Sequence, residues 1–111
     1  MMVQDLCNLL PLKSWVPEAN LAVPVIGGYT GDLLSRAIGK AGVGSVWLTI
    51  MSNQNVAAVA LVAKVACVIL TEDVEPDKDL VKQAIAHRLP LFSSPLSSYE
   101  LAGFLSKVLA D

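Results

Sequence analysis

The run Val65-Ala66-Cys67-Val68-Ile69-Leu70 is apolar at every position. A strand with that pattern hides both faces, so helices must cover it above and below, as happens for a central parallel strand. A second β-forming run, Val46-Trp47-Leu48-Thr49-Ile50, lies upstream, and a helical pattern from about Asn55 to Lys64 separates the two. Strand, helix and strand joined by short connections form the unit from which parallel sheets grow, with right-handed crossovers.

The same alternation extends in both directions. Upstream, Leu21 to Ile26 reads as a strand weakened by Pro24, which cannot donate to a ladder and places the strand at an edge or starts it near the proline. A helix from Thr30 to Lys40 follows, with Leu33, Leu34, Ala37, Ile38 and Ala41 on one face. Downstream, Pro76 fits the first position of a helix reaching about Arg88, with Leu80, Val81, Ala84 and Ile85 inward. Leu89 to Phe92 is a short strand. Ser97 with Glu100 three residues later is a capping-box pattern, and it opens a last helix to about Leu109 with a stripe of Leu101, Phe104, Leu105 and Val108. At the N-terminus, Val3, Leu6, Cys7 and Leu10 have helical spacing, and Lys13 to Val16 is a short strand before Pro17. The expected fold is a single three-layer α/β domain over residues 1–111, with a mostly parallel sheet of about five strands and helices on both faces.

Composition limits the function. The net charge is −2 with no basic run, so nucleic-acid binding lacks its electrostatic footprint. The longest apolar run, Val56 to Leu70, is interrupted by Lys64 and is too short to span a bilayer. The first residues lack the basic region of a secretory signal. Cys7 and Cys67 sit apart in apolar settings and read as buried free thiols; a cytoplasmic location is the expectation. Hydrophobic residues make up 54% of the chain, more than one small core can bury. That excess predicts an interface and, most simply, a two-fold homodimer.

Chemistry is expected where strands end. In a parallel sheet the loops after the strands open on one edge, and ligands bind there, usually where strand order reverses. The loops are Gly27–Asp32, Met51–Asn55, Thr71–Glu75 and Ser93–Ser97. In the first, Gly27-Gly28-Tyr29-Thr30-Gly31-Asp32 reads as a glycine-rich turn whose bare backbone admits a partner group closely. Thr30 and Asp32 can cap the following helix, and a helix start attracts anions. Gly27, Gly28, Tyr29, Thr30, Gly31 and Asp32 are therefore candidate ligand contacts, with Ser52, Asn53, Asn55, Thr71 and Ser93 adding hydrogen bonds from the other loops. The same residue types also serve as ordinary caps and turns, and for Asp32 a cap is the simpler role.

Sharper motifs are missing. Ile26-Gly27-Gly28-Tyr29-Thr30-Gly31 lacks the first glycine of a dinucleotide fingerprint, and Gly39-Lys40-Ala41 is not a phosphate-binding loop. His87 is the one histidine, no cluster has metal-ligand spacing, and Ser52, Ser93 and Ser94 have no evident base. No catalytic residue, metal or cofactor is expected. A phosphotransferase is the weakest reading.

The tracts Gly27-Gly28-Tyr29-Thr30-Gly31-Asp32-Leu33-Leu34-Ser35, Trp47-Leu48-Thr49-Ile50 and Asn55-Val56-Ala57-Ala58-Val59-Ala60, with Leu89-Pro90-Leu91-Phe92-Ser93 and Ser98-Tyr99-Glu100-Leu101-Ala102-Gly103, resemble the DRTGG domain family from about Leu21 onward. Such domains are similar to the N-terminal domain of HPr kinase/phosphorylase and also occur beside CBS domains and in some phosphotransacetylases. The resemblance implies a regulatory or ligand-sensing module. With the strand-end rim it points to a small polar ligand, a phosphorylated metabolite or nucleotide, as the partner; the alternative is a homodimeric interaction domain that docks a protein through its apolar excess and binds no small ligand. The family's naming motif falls by spacing at Ser52-Asn53-Gln54-Asn55, where neutral polar residues replace its charged pair.

Overall fold

The computed structural model describes residues 1–109. In chain order the elements are α1 (Val3–Leu9), β1 (Lys13–Ser14), β2 (Gly27–Thr30), α2 (Leu34–Lys40), β3 (Ser45–Thr49), α3 (Asn55–Ala63), β4 (Cys67–Leu70), α4 (Lys78–Ala86), β5 (Leu91–Ser93) and α5 (Ser98–Val108). One sheet has the order β1-β5-β4-β3-β2. β2, β3, β4 and β5 run parallel, and the two-residue β1 lies antiparallel beside β5.

The three layers follow from the pleat. On one side of the sheet Trp47, Val68, Leu70 and Leu91 pack against α2, α3 and α4, where Ala37, Ala57, Ala60 and Ala84 let the helices lie close. On the other side Val46, Leu48, Cys67, Ile69 and Phe92 meet Val3 and Leu6 of α1 and Leu101 and Leu105 of α5. All five residues of β3 and all four of β4 are buried, as their apolar runs require. The capping box of α5 is formed. Ser97 Oγ accepts from the Glu100 amide and Glu100 Oε1 accepts from the Ser97 amide, both at 3.1 Å. Such a cap contributes about 1 kcal/mol.

Four local expectations are corrected. The segment Leu21–Ile26 is not the sheet strand. It lies against the N-terminus, where the Val3 and Gln4 amides donate to the Val23 and Leu21 carbonyls and the Val25 amide donates to the Met1 carbonyl. Pro24 takes part in an isolated antiparallel bridge with Met2. The strand is instead the glycine pair with Tyr29 and Thr30, so Gly27-Gly28-Tyr29-Thr30 is not a turn. As an edge strand it needs partners on one side only, and it tolerates glycine there. α2 starts at Leu34, not Thr30, and no side chain caps it. Leu33 and Ile38 are exposed, so the inward face of α2 is Ala37 and Ala41 with half-buried Leu34. Pro76 precedes α4, whose N-cap residue is Asp77, and Ile85 is exposed.

Strand order does not reverse among the parallel strands. β2 to β5 follow consecutively, so same-handed crossovers put α2, α3 and α4 on one face and open no crevice between oppositely directed connections. The chain changes face only after β5, where α5 turns back across the sheet to lie over β3 and β2.

Candidate functional site

Parallel strands do bring the polar loops to one edge, and their side chains are tied to one another there. Asp32 does not cap α2. Its Oδ1 accepts from Thr49 Oγ1 at 2.8 Å and from the Ile50 amide at 2.9 Å, which pins the turn after β2 to the end of β3. Below it the buried Trp47 Nε1 donates to the Gly31 carbonyl at 2.9 Å. Gly31 itself is covered: a Cβ there would lie 2.8 Å from the Tyr29 hydroxyl. Ser52 Oγ donates to Asp77 Oδ1 at 3.2 Å, and the Asp77 amide donates to the Ser52 carbonyl. Asn53 Oδ1 accepts from the Asn55 amide at 2.9 Å and closes the turn into α3, where Asn55 is exposed.

Thr71, fully buried, shares a 2.8 Å hydrogen bond with Ser98 Oγ at the start of α5. The next two residues, Glu72 and Asp73, have left-handed backbones, φ 58° and 63°, and their amides donate to the Leu96 and Ser94 carbonyls. At the far side of the sheet Ser93 Oγ accepts from Trp15 Nε1 at 2.9 Å. Lys13 Nζ sits 4.2 Å from the Trp15 ring centroid. A hollow of about 350 Å³ lies there between Leu12, Lys13, Asp73, Glu75, Ser93 and Ser94.

The glycine strand behaves differently. Gly28 pairs with Val46 and Thr30 with Leu48, so both point to the α5 side, while Tyr29, opposite Trp47, points to the α2–α4 side. Gly28 has no side chain to fill the space between β2 and α5. A groove of about 340 Å³ remains, walled by Ile26 to Thr30 and Leu48 on one side and by Ala102, Leu105, Ser106 and Leu109 on the other. Among the described residues no charged side chain lines it. A Cβ at Gly28 would meet only the Val46 carbonyl, at 3.8 Å, so the backbone leaves real room.

Of the eleven sequence candidates, Gly27, Gly28, Tyr29 and Thr30 border this groove, and Ser93 borders the hollow beside β1. Gly31, Asp32, Ser52, Asn53, Asn55 and Thr71 border neither. The α5 wall escaped the sequence reading, which followed the stripe through Leu101, Phe104, Leu105 and Val108. The signal was present one step over: 102, 105, 106 and 109 have the i, i+3, i+4, i+7 spacing of one helix face.

The two cysteines are held away from the reactive thiolate. Burial pushes the Cys67 thiol far up from its ordinary range, and the neighbouring Cys7 pushes it further. Cys7, half-buried, is also raised by burial. A protonated thiol is a poor nucleophile. Among the described residues no group of three or more His, Cys, Asp or Glu side chains is placed to hold a metal, and no helix is long and apolar enough to cross a membrane.

Comparison with known proteins agrees with this architecture. The chain matches the DRTGG domain over residues 23–108. Among solved structures it is similar to the CBS and DRTGG domains of the regulatory region of Clostridium perfringens pyrophosphatase, crystallised with the activator diadenosine tetraphosphate; the TM-score is 0.72 at 15% identity. That likeness covers 93% of this chain and 44% of the other, so this chain spans less than half of the crystallised regulatory region. At such identity the likeness shows the fold. No curated protein sequence matches. With its family match running from the segment before β2 to the end of α5, the chain belongs to the DRTGG domain family.

Proposed function

We propose that this domain is a non-enzymatic regulatory module that senses a small nucleotide or similar phosphorylated metabolite. The observation that carries the reading is the groove opened by Gly28 between β2 and α5. Family membership and the regulatory setting of the pyrophosphatase region support it. A volume of about 340 Å³ falls in the range of small-molecule pockets, roughly 300–1,000 Å³. Thr30 joins the groove to the strand-end rim, so polar parts of a ligand emerge beside Gly31 and Asp32. Ser52, Asn53, Asn55, Thr71 and Ser93 are the further polar candidates along that rim.

Thermal unfolding with diadenosine tetraphosphate or ATP tests the reading. A ligand present at a hundred times its Kd adds about 2.7 kcal/mol, which raises the midpoint of a domain this small by roughly 10 °C. Midpoints unchanged across millimolar concentrations of both compounds count against sensing.

A second reading has its own observation. Ile26 and Leu33, 74% and 62% exposed, flank the edge strand β2 in the chain, and Val43, 64% exposed, precedes Gly44, whose carbonyl accepts from the Ile26 amide. An unpaired edge next to exposed apolar side chains suits pairing with a second copy or a protein partner. Sedimentation analysis of the wild type and Ile26→Lys decides this reading. A dimer that the substitution dissociates supports it, and a monomer at all concentrations removes the homodimer.

A further inference from the structure

We infer that the groove between β2 and α5 takes the flat, uncharged ring of a nucleobase-like heteroaromatic ligand, and that the charged groups of the ligand stay outside it. This rests on the sensing reading above and assigns one part of the ligand to one part of the site. Among the described residues the groove has no lysine or arginine to meet a phosphate, and the start of α2 lies beyond the Gly31–Leu33 turn. An anion placed there would lose water and gain no counter-charge. The walls are apolar at Ile26, Leu48 and Leu105, and the floor at Gly28 is bare peptide against which a ring can lie flat.

The polar groups that remain are ones a heteroaromatic edge can use. The Gly31 amide donates to the Leu48 carbonyl. In a parallel ladder alternate residues face the partner strand, which puts Tyr29 on the bonded side. The N–H and C=O of Gly28 and Thr30 therefore turn to the open edge of the sheet. They lie in the plane of the sheet, so groups of the ligand that overhang the edge can reach them while the ring lies over Gly28. Two hydroxyls line the same groove: Thr30 on β2, and Ser106 on α5, whose proton goes to the Gly103 carbonyl at 3.1 Å and leaves its oxygen free to accept. A saturated sugar phosphate has no flat face to lay against Gly28.

The test is an amide NMR titration of the full chain with adenosine, with ribose 5-phosphate and with diadenosine tetraphosphate, in the wild type and in Gly28→Leu. Adenosine is expected to shift the Gly28, Thr30, Leu105 and Ser106 amides saturably, and ribose 5-phosphate is expected to leave them in place. Gly28→Leu fills the groove and should weaken adenosine at least tenfold while the remaining amides keep their positions. If that variant fails to fold, Ser106→Phe closes the groove from the exposed side of α5 with the same expected loss. Shifts from ribose 5-phosphate at these four amides, or adenosine affinity unchanged in the folded variant, overturn the inference. Binding of adenosine confined to amides near Asp32, Asn53 and Asn55 also overturns it but leaves the sensing reading standing. Silence with all three compounds overturns both.

Discussion

The strand-end rim and the glycine edge of the same sheet make opposite use of their residues. The rim is rich in hydrogen-bonding side chains, and the structure employs them: Asp32 holds Thr49 and Ile50, Thr71 holds Ser98, and Ser93 holds Trp15. The glycine edge is poor in side chains, and there the backbone leaves a groove that nothing in the described chain fills. Polar residues at a loop therefore mark a need for hydrogen bonds, which the fold itself can satisfy. A missing side chain next to a helix marks space. For this domain the second signal points more directly to a ligand.

The contrast can be broken by substitution, because rim changes should cost stability and groove changes should not. The largest cost is expected for Trp47→Ala. It empties a fully buried site and frees the Gly31 carbonyl, for a loss of about 3–5 kcal/mol in denaturant titrations. Asp32→Ala should cost about 1–2 kcal/mol, since it takes the acceptor from the buried Thr49 O–H; exposure of the carboxylate keeps the figure below that of a buried charge. A double-mutant cycle with Thr49→Val should show coupling between the two sites, and strict additivity would detach Asp32 from the framework. Thr71→Val keeps the shape and loses one hydrogen bond to Ser98, for about 1 kcal/mol. Gly28→Ala should be neutral or stabilising by up to about 1 kcal/mol. Its backbone is outside the left-handed region, the added methyl makes an ordinary contact, and the unfolded chain loses freedom. A cost above 2 kcal/mol at Gly28 would mean that the groove is packed, which erases the contrast.

Much of the architecture was legible from local patterns. The runs at β3 and β4 are apolar throughout because both faces are covered, and Ser97 with Glu100 marked the start of α5 within the chain itself. What could not be read was set by contacts across long separations. Asp32 has the look of a cap, yet its partners lie 17 and 18 residues away on the next strand. Gly27-Gly28 has the composition of a turn, and only its place at the open edge makes it a strand. Leu21–Ile26 has the composition of a strand, but the N-terminal residues pair with it instead. The candidate site was half legible for the same reason. Gly27 to Thr30 were named, while the helix wall opposite them belongs to a segment more than seventy residues later that the sequence does not show to be adjacent.

A crystal structure of the full chain with diadenosine tetraphosphate tests the division between rim and groove most directly. The prediction is an adenine ring between Gly28 and Leu105, with its phosphates outside the groove and the Asp32–Thr49 and Thr71–Ser98 hydrogen bonds intact. Phosphates lodged against Gly28, or a base seated among Asp32, Ser52 and Asn53 with those hydrogen bonds broken, would contradict it.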